Sequence, residues 1–210
     1  MPLGFKVGGV ARRKCWRARR LLISTWIRTL AALLLWGGMS LLSSAVAAPE
    51  ALIGEYRLKA AFLYRITQFV EWPDPLPGSE DAAFTLCVLG SDPFGESLRE
   101  LTTRKVGHRR IALLYPSSVK DARVCQMVYL DEVTPKTVAE LKSTLGELPI
   151  LTVGGAPQFI DQGGAVGFVI EAGKLRMEIN LDSVRRANLK PSAKLVEVAV
   201  RTLGAGRGRP

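Results

Sequence analysis

"LPILTVGGAPQFIDQGGAVGFVIEAGKLRMEINLD", residues 148–182, decides between a glycine-rich nucleotide cradle and a layered sheet. The run from Leu148 to Gly154 is short and almost wholly apolar, as expected of a strand covered on both faces. "APQFIDQGG" then reads as a short helical turn, presenting Phe159 and Ile160 at an exposed position. "AVGFVIEAGKLRMEINLD" reads as two strands joined at the tight turn Ala172-Gly173. A Walker-type loop needs Gly, four residues and then Gly-Lys-Ser/Thr, and the chain has no such run. A dinucleotide fingerprint needs glycines that open a long helix, whereas Gly154-Gly155 runs into Pro157 and a short turn. Gly163-Gly164 precedes a strand, where the helix-dipole argument for anions does not apply. Both pairs are expected to be a strand exit and a helix C-cap, positions that call for positive φ.

Outward from this stretch the pattern continues. "EYRLKAAFLYRITQFVEWPD" places Tyr56, Ala60, Leu63, Ile66 and Val70 at helical spacing, with Lys59, Arg65 and Gln68 on other faces. Pro73 and Pro75 stop this helix. "FTLCVLG" is a buried strand, and "PFGESLRELTTRK" a helix with Phe94, Leu98 and Leu101 on one side. "RRIALLYPSS" and "CQMVYLDE" are two more strands. "TPKTVAELKSTLG" is a helix with Thr134 as N-cap, Pro135 at the first position and Gly146 after the end. A last helix, "SVRRANLKPSAKLVEVAVRTL", is expected to be interrupted by Pro191. Strand alternating with helix predicts a layered α/β sandwich: a mostly parallel sheet flanked by helices, with an antiparallel edge hairpin.

The net charge of +10 is unevenly placed. Eight basic groups and no acidic one fall in residues 1–47, which leaves 21 basic against 19 acidic groups elsewhere. The basic balance belongs to the leader, so nucleic acid is not an expected partner. A basic stretch through Arg20, the apolar run "LAALLLWGGMSLLSSAVAA" and its small-residue end make a secretory signal. Cleavage is placed after Ala47, an uncleaved anchor being the alternative. The expected organisation is therefore a signal peptide over 1–47, one domain over 48–203 and a basic tail over 204–210. The mature chain is expected to cross the membrane into an oxidising compartment. Cys87 and Cys125 are the two cysteines left, which in an oxidising compartment read as a disulfide or, alternatively, as two buried thiols.

Catalytic constellations are scarce. His108, in "KVGHRR", is the single histidine, so neither a His-rich metal site nor a nucleophile triad can be assembled, and no serine sits in a G-x-S-x-G elbow. No enzyme, metal or cofactor is expected. Arg176, Glu178 and Asn180 alternate with Leu175, Met177 and Ile179, so one strand face carries a polar ladder, either a binding face or an ordinary half-exposed strand.

"EYRLKAAFLYRITQFVEWP", "FTLCVLGSDPFG", "LPILTVGGAPQFIDQGGAVGFV" and "LRMEINLDSVRRANLKPSAKL" together resemble the YfiR family of exported bacterial proteins, from Glu55 to Val200. The resemblance implies a periplasmic, non-enzymatic α/β protein. It would repress an inner-membrane diguanylate cyclase through the cyclase's periplasmic sensor region and lower cyclic di-GMP. It further implies a homodimer and sequestration by an OmpA-like outer-membrane lipoprotein. The single pair Cys87–Cys125 departs from a family type that carries two pairs, which puts a redox switch in doubt. Candidate partner contacts are Arg176, Glu178 and Asn180 with Phe159 and Ile160. A small-molecule binding protein, using the crevice at the carboxyl ends of the strands, is the other reading.

Overall fold

The computed structural model describes residues 47–73 and 82–204. The expected leader through Val46 and the tail from Ala205 lie outside these residues. From Ala51 onward the described residues form one compact unit.

Helix α1 (Ala47–Phe69) runs into the two-residue strand β1 (Val70–Glu71). Strand β2 (Phe84–Val88) follows, then α2 (Glu96–Arg99), which tightens into a 3-10 turn over Glu100–Thr103. Strands β3 (Lys105–Val106) and β4 (Arg109–Leu114) form a hairpin, and a 3-10 turn (Asp121–Val124) leads to β5 (Met127–Leu130). Helix α3 (Pro135–Leu145) starts where its signals place it, with the Thr134 hydroxyl accepting from the Thr137 amide. Strand β6 (Leu151–Gly154), strand β7 (Val166–Glu171), strand β8 (Lys174–Asn180) and helix α4 (Leu181–Arg186) come next.

The main sheet has eight strands, whose order is completed at its far end by β10 (Arg201–Leu203): β10-β8-β7-β6-β5-β2-β4-β3. Strands β4, β2, β5, β6 and β7 pair parallel, and β7 and β8 antiparallel. The mixed, mostly parallel α/β architecture is as the alternation predicts. Two details differ. The late hairpin is not the edge, because β10 pairs parallel to β8 outside it. The expected last helix is instead α4, the short strand β9 (Lys190–Pro191), helix α5 (Ala193–Glu197) and then β10. Proline has no amide hydrogen and fixes its φ, so Pro191 fits a short strand, here paired antiparallel with Val70 of β1.

Side chains alternate across the sheet, so its two faces make two cores. Leu86, Tyr129, Val153, Phe168, Met177 and Ile179 meet Ala60, Leu63 and Ile66 of α1. On the other face Cys87, Val128 and Leu130 meet Val138, Leu141 and Leu145 of α3. Burial on both sides is why the central strands read as unbroken apolar runs.

Candidate partner-binding face

The polar ladder of β8 exists. Leu175, Met177 and Ile179 are buried, Arg176 is exposed, and Glu178 and Asn180 are half-buried. Glu178 and Asn180 are nonetheless engaged within the chain. Arg201 of β10 donates from Nε to Glu178 Oε1 at 2.7 Å and from its terminal nitrogens to both Asp161 oxygens, at 2.8 and 2.6 Å. One guanidinium thus ties the edge strand to β8 and to the 156–163 turn, with the planar fork that suits a bidentate carboxylate. Hydrogen bonding from Arg201 is the main reason the Asp161 carboxyl is held below its ordinary range. Arg201 in turn is held more firmly protonated by Asp161 and then Glu178.

Asn180 caps helix α4, accepting from the Ser183 amide, and its side-chain amide donates to the Ile160 carbonyl at 2.8 Å. Arg176 faces solvent one strand-repeat from Glu178. These groups give a polar face across β8 and β10, in which Glu178 and Asp161 are fixed by Arg201.

Phe159 and Ile160, expected at an exposed turn, point inward instead. They are 1% and 0% exposed, core residues rather than an exposed turn. The glycines flanking them explain this. A Cβ built at Gly154 would lie 2.6 Å from the Phe159 ring, and one at Gly164 would overlap it. Ile160 sits over Gly167, where an added Cβ would meet it at 3.3 Å. Of the two pairs, Gly163 alone has positive φ, at 111°. The others are there for close approach, so the turn folds inward and buries its two large side chains.

A second polar centre was not legible in the sequence. Lys59, assigned to a polar helix face by spacing, is 6% exposed. Its ammonium lies 2.7 Å from Glu55, 3.7 Å from Asp131 and 4.3 Å from the Tyr56 ring centroid. Asp131, just past the end of β5, accepts from the hydroxyls of Tyr56 and Tyr129, each at 2.6 Å. Burial, and then the hydrogen bond to Asp131, pushes both tyrosine hydroxyls up. Phe94 packs edge-on between the rings of Tyr56 and Tyr129. Gly155, at the end of β6, leaves room for this group, since a Cβ there would lie 3.0 Å from Asp131 and from Tyr129. The carboxyl ends of β2, β5 and β6 form the crevice where an open α/β sheet takes a ligand. At the end of β5, Asp131 is engaged by the chain's own Tyr56, Lys59 and Tyr129. Among the described residues no group of three or more His, Cys, Asp or Glu side chains is arranged to hold a metal.

Fold and face together define an α/β domain whose displayed feature is a structured polar surface at a sheet edge. The chain belongs to the YfiR/HmsC-like family, whose profile matches residues 56–200. That family is periplasmic and regulatory rather than catalytic, and is tied to control of diguanylate cyclases. No curated protein matches the chain. Among solved structures it is similar to a conserved domain protein from Vibrio cholerae O1 biovar El Tor, with 10% identity and a TM-score of 0.43. That match covers 68% of this chain and 59% of the other. It is also similar to an ABC domain in complex with L-Trp from Streptococcus pneumonia, with 11% identity and a TM-score of 0.40, over 57% and 55% of the two chains. No helix among the described residues is long and apolar enough to cross a membrane.

Proposed function

We propose that this protein is an exported repressor that binds the periplasmic sensor region of an inner-membrane diguanylate cyclase and holds it inactive. Membership of a regulatory family over residues 56–200 is the observation that carries this reading. Engagement of Asp131 by the chain's own Tyr56, Tyr129 and Lys59 at a strand end supports a protein partner over a small molecule. The protein acts by binding and performs no chemistry. Its acting form starts at Ala48 after removal of the leader.

Contact runs through the β8–β10 face, where Arg176 is exposed and Glu178 and Asp161 are held in place by Arg201. Groups fixed before binding lose little side-chain entropy on docking. Repression requires only that the inactive sensor be bound more tightly than the active one, and about 1.4 kcal/mol of differential affinity shifts that equilibrium tenfold. By family resemblance, a second copy of the chain and an OmpA-like outer-membrane lipoprotein are further partners.

Deleting the gene raises cyclic di-GMP and biofilm formation, and an exported copy reverses both. Arg176→Glu in that copy weakens capture of the cyclase from solubilised membranes about tenfold, as charge reversal at an interface does. Unchanged cyclic di-GMP on deletion, with no cyclase captured by the mature domain, overturns the reading.

A further inference from the structure

We infer that the hollow between the 3-10 turn at Asp121–Val124, helix α3 and helix α4 is a binding site for a phosphate-bearing anion. Three elements far apart in sequence each send one cation to its wall: Arg123 from the turn, Lys142 from α3 and Arg186 from α4. Glu147 is the single carboxylate among the lining residues, so three positive charges against one negative leave the wall at +2. None of the three cations has an ion-pair partner among the described residues.

Like charges that converge on one concavity repel, and an anion between them relieves that repulsion and replaces their water. Two guanidiniums offer planar forks that match phosphate oxygens, and the ammonium adds a mobile point charge. Thr144 lines the same wall, and its hydroxyl makes no hydrogen bond to the described residues. The hollow is open to solvent, so a phosphoryl group carried on a larger body can reach its wall. That group is either a soluble phosphoester or a phospholipid headgroup.

The test uses the mature protein and two probes: inorganic phosphate followed by calorimetry, and flotation with vesicles of phosphatidylglycerol in phosphatidylcholine, pure phosphatidylcholine being the blank. The wild type binds at least one probe, and binding weakens as salt rises. Replacing Arg123, Lys142 and Arg186 together by Gln weakens it about a hundredfold, at roughly fivefold per cation removed. Arg65→Gln, an exposed position on α1 across the sheet from α3, leaves binding unchanged, and all three replaced side chains are exposed, so the melting temperature of the triple variant stays at the wild-type value. Vesicle binding with weak phosphate binding assigns a lipid headgroup, and the reverse assigns a soluble phosphoester. Absence of binding to either probe, or equal binding by the triple variant, overturns the site.

Discussion

Gly164 leaves no room for a methyl group, because the ring of Phe159 stands where its Cβ would go. Gly164→Ala therefore forces the ring out of a core position that is 1% exposed. Overpacking of this kind costs about 1–3 kcal/mol, and Phe159→Ala, which leaves a cavity, about 3–5 kcal/mol. Urea midpoints of the two variants check this, and a Gly164→Ala midpoint equal to wild type refutes the packing account. Combining Gly164→Ala with Phe159→Leu gives less than the sum of the single effects, since the two residues contend for one space. Sequence spacing marks these glycines as special but not why. Positive φ explains Gly163, whereas Gly154 and Gly164 answer to a ring that reaches them only when the turn folds inward. Lys59 teaches the same lesson in reverse. Its place on the helix reads as solvent-facing, and its partner Asp131 is distant in sequence, so nothing local announces the pair.

At the scale of elements, α1 is fastened at both ends of its packed face. Its last turn leads into β1, which pairs with β9, and its Tyr56 and Lys59 reach Asp131 at the end of β5. The tyrosine hydroxyls give this fastening a pH dependence. Folding raises the pKa of Tyr56 and Tyr129, through burial and then Asp131, whereas in the unfolded chain both ionise near pH 10. Above that pH the folded state holds more protons than the unfolded one. Stability from these groups is thus complete below about pH 10 and falls as pH rises beyond it. Denaturation midpoints at pH 8 and pH 11 show a larger drop for wild type than for Tyr56→Phe. Equal drops exclude the hydroxyl as the cause. The edge strand β10 depends on a contact of a different kind. Three residues supply little ladder, and Arg201 reinforces it by joining Glu178 and Asp161. A basic residue on a short edge strand also discourages pairing with stray chains.

For the whole molecule, the bridge between Cys87 and Cys125 joins β2 to the start of β5, with 6.0 Å between Cα atoms, inside the core beneath α3. It closes a loop of 38 residues and constrains mainly the unfolded chain, an effect of up to about 4 kcal/mol. Replacing both cysteines by Ala lowers the unfolding free energy by up to that amount in a urea titration, with the native circular-dichroism spectrum retained. Both cysteines are buried, so reductant leaves the folded protein oxidised and acts as unfolding exposes the bridge. Reduction under native conditions at the rate of a free disulfide contradicts this. The sequence by itself determined the α/β layering, the helix starts at Thr134 and Pro135, the buried central strands, and the family to which residues 56–200 belong. Those features follow from periodicity, caps and motif order, which are local or collinear along the chain. Tertiary structure alone decided the inward turn of Phe159 and Ile160, the break-up of the last helix into β9, α5 and β10, and the contacts of Asp131 with Tyr56, Lys59 and Tyr129. It alone also placed Arg123, Lys142 and Arg186 around one hollow. Each of these depends on groups that the fold brings together from separate elements, and a pattern read along one chain carries no record of who meets whom across it.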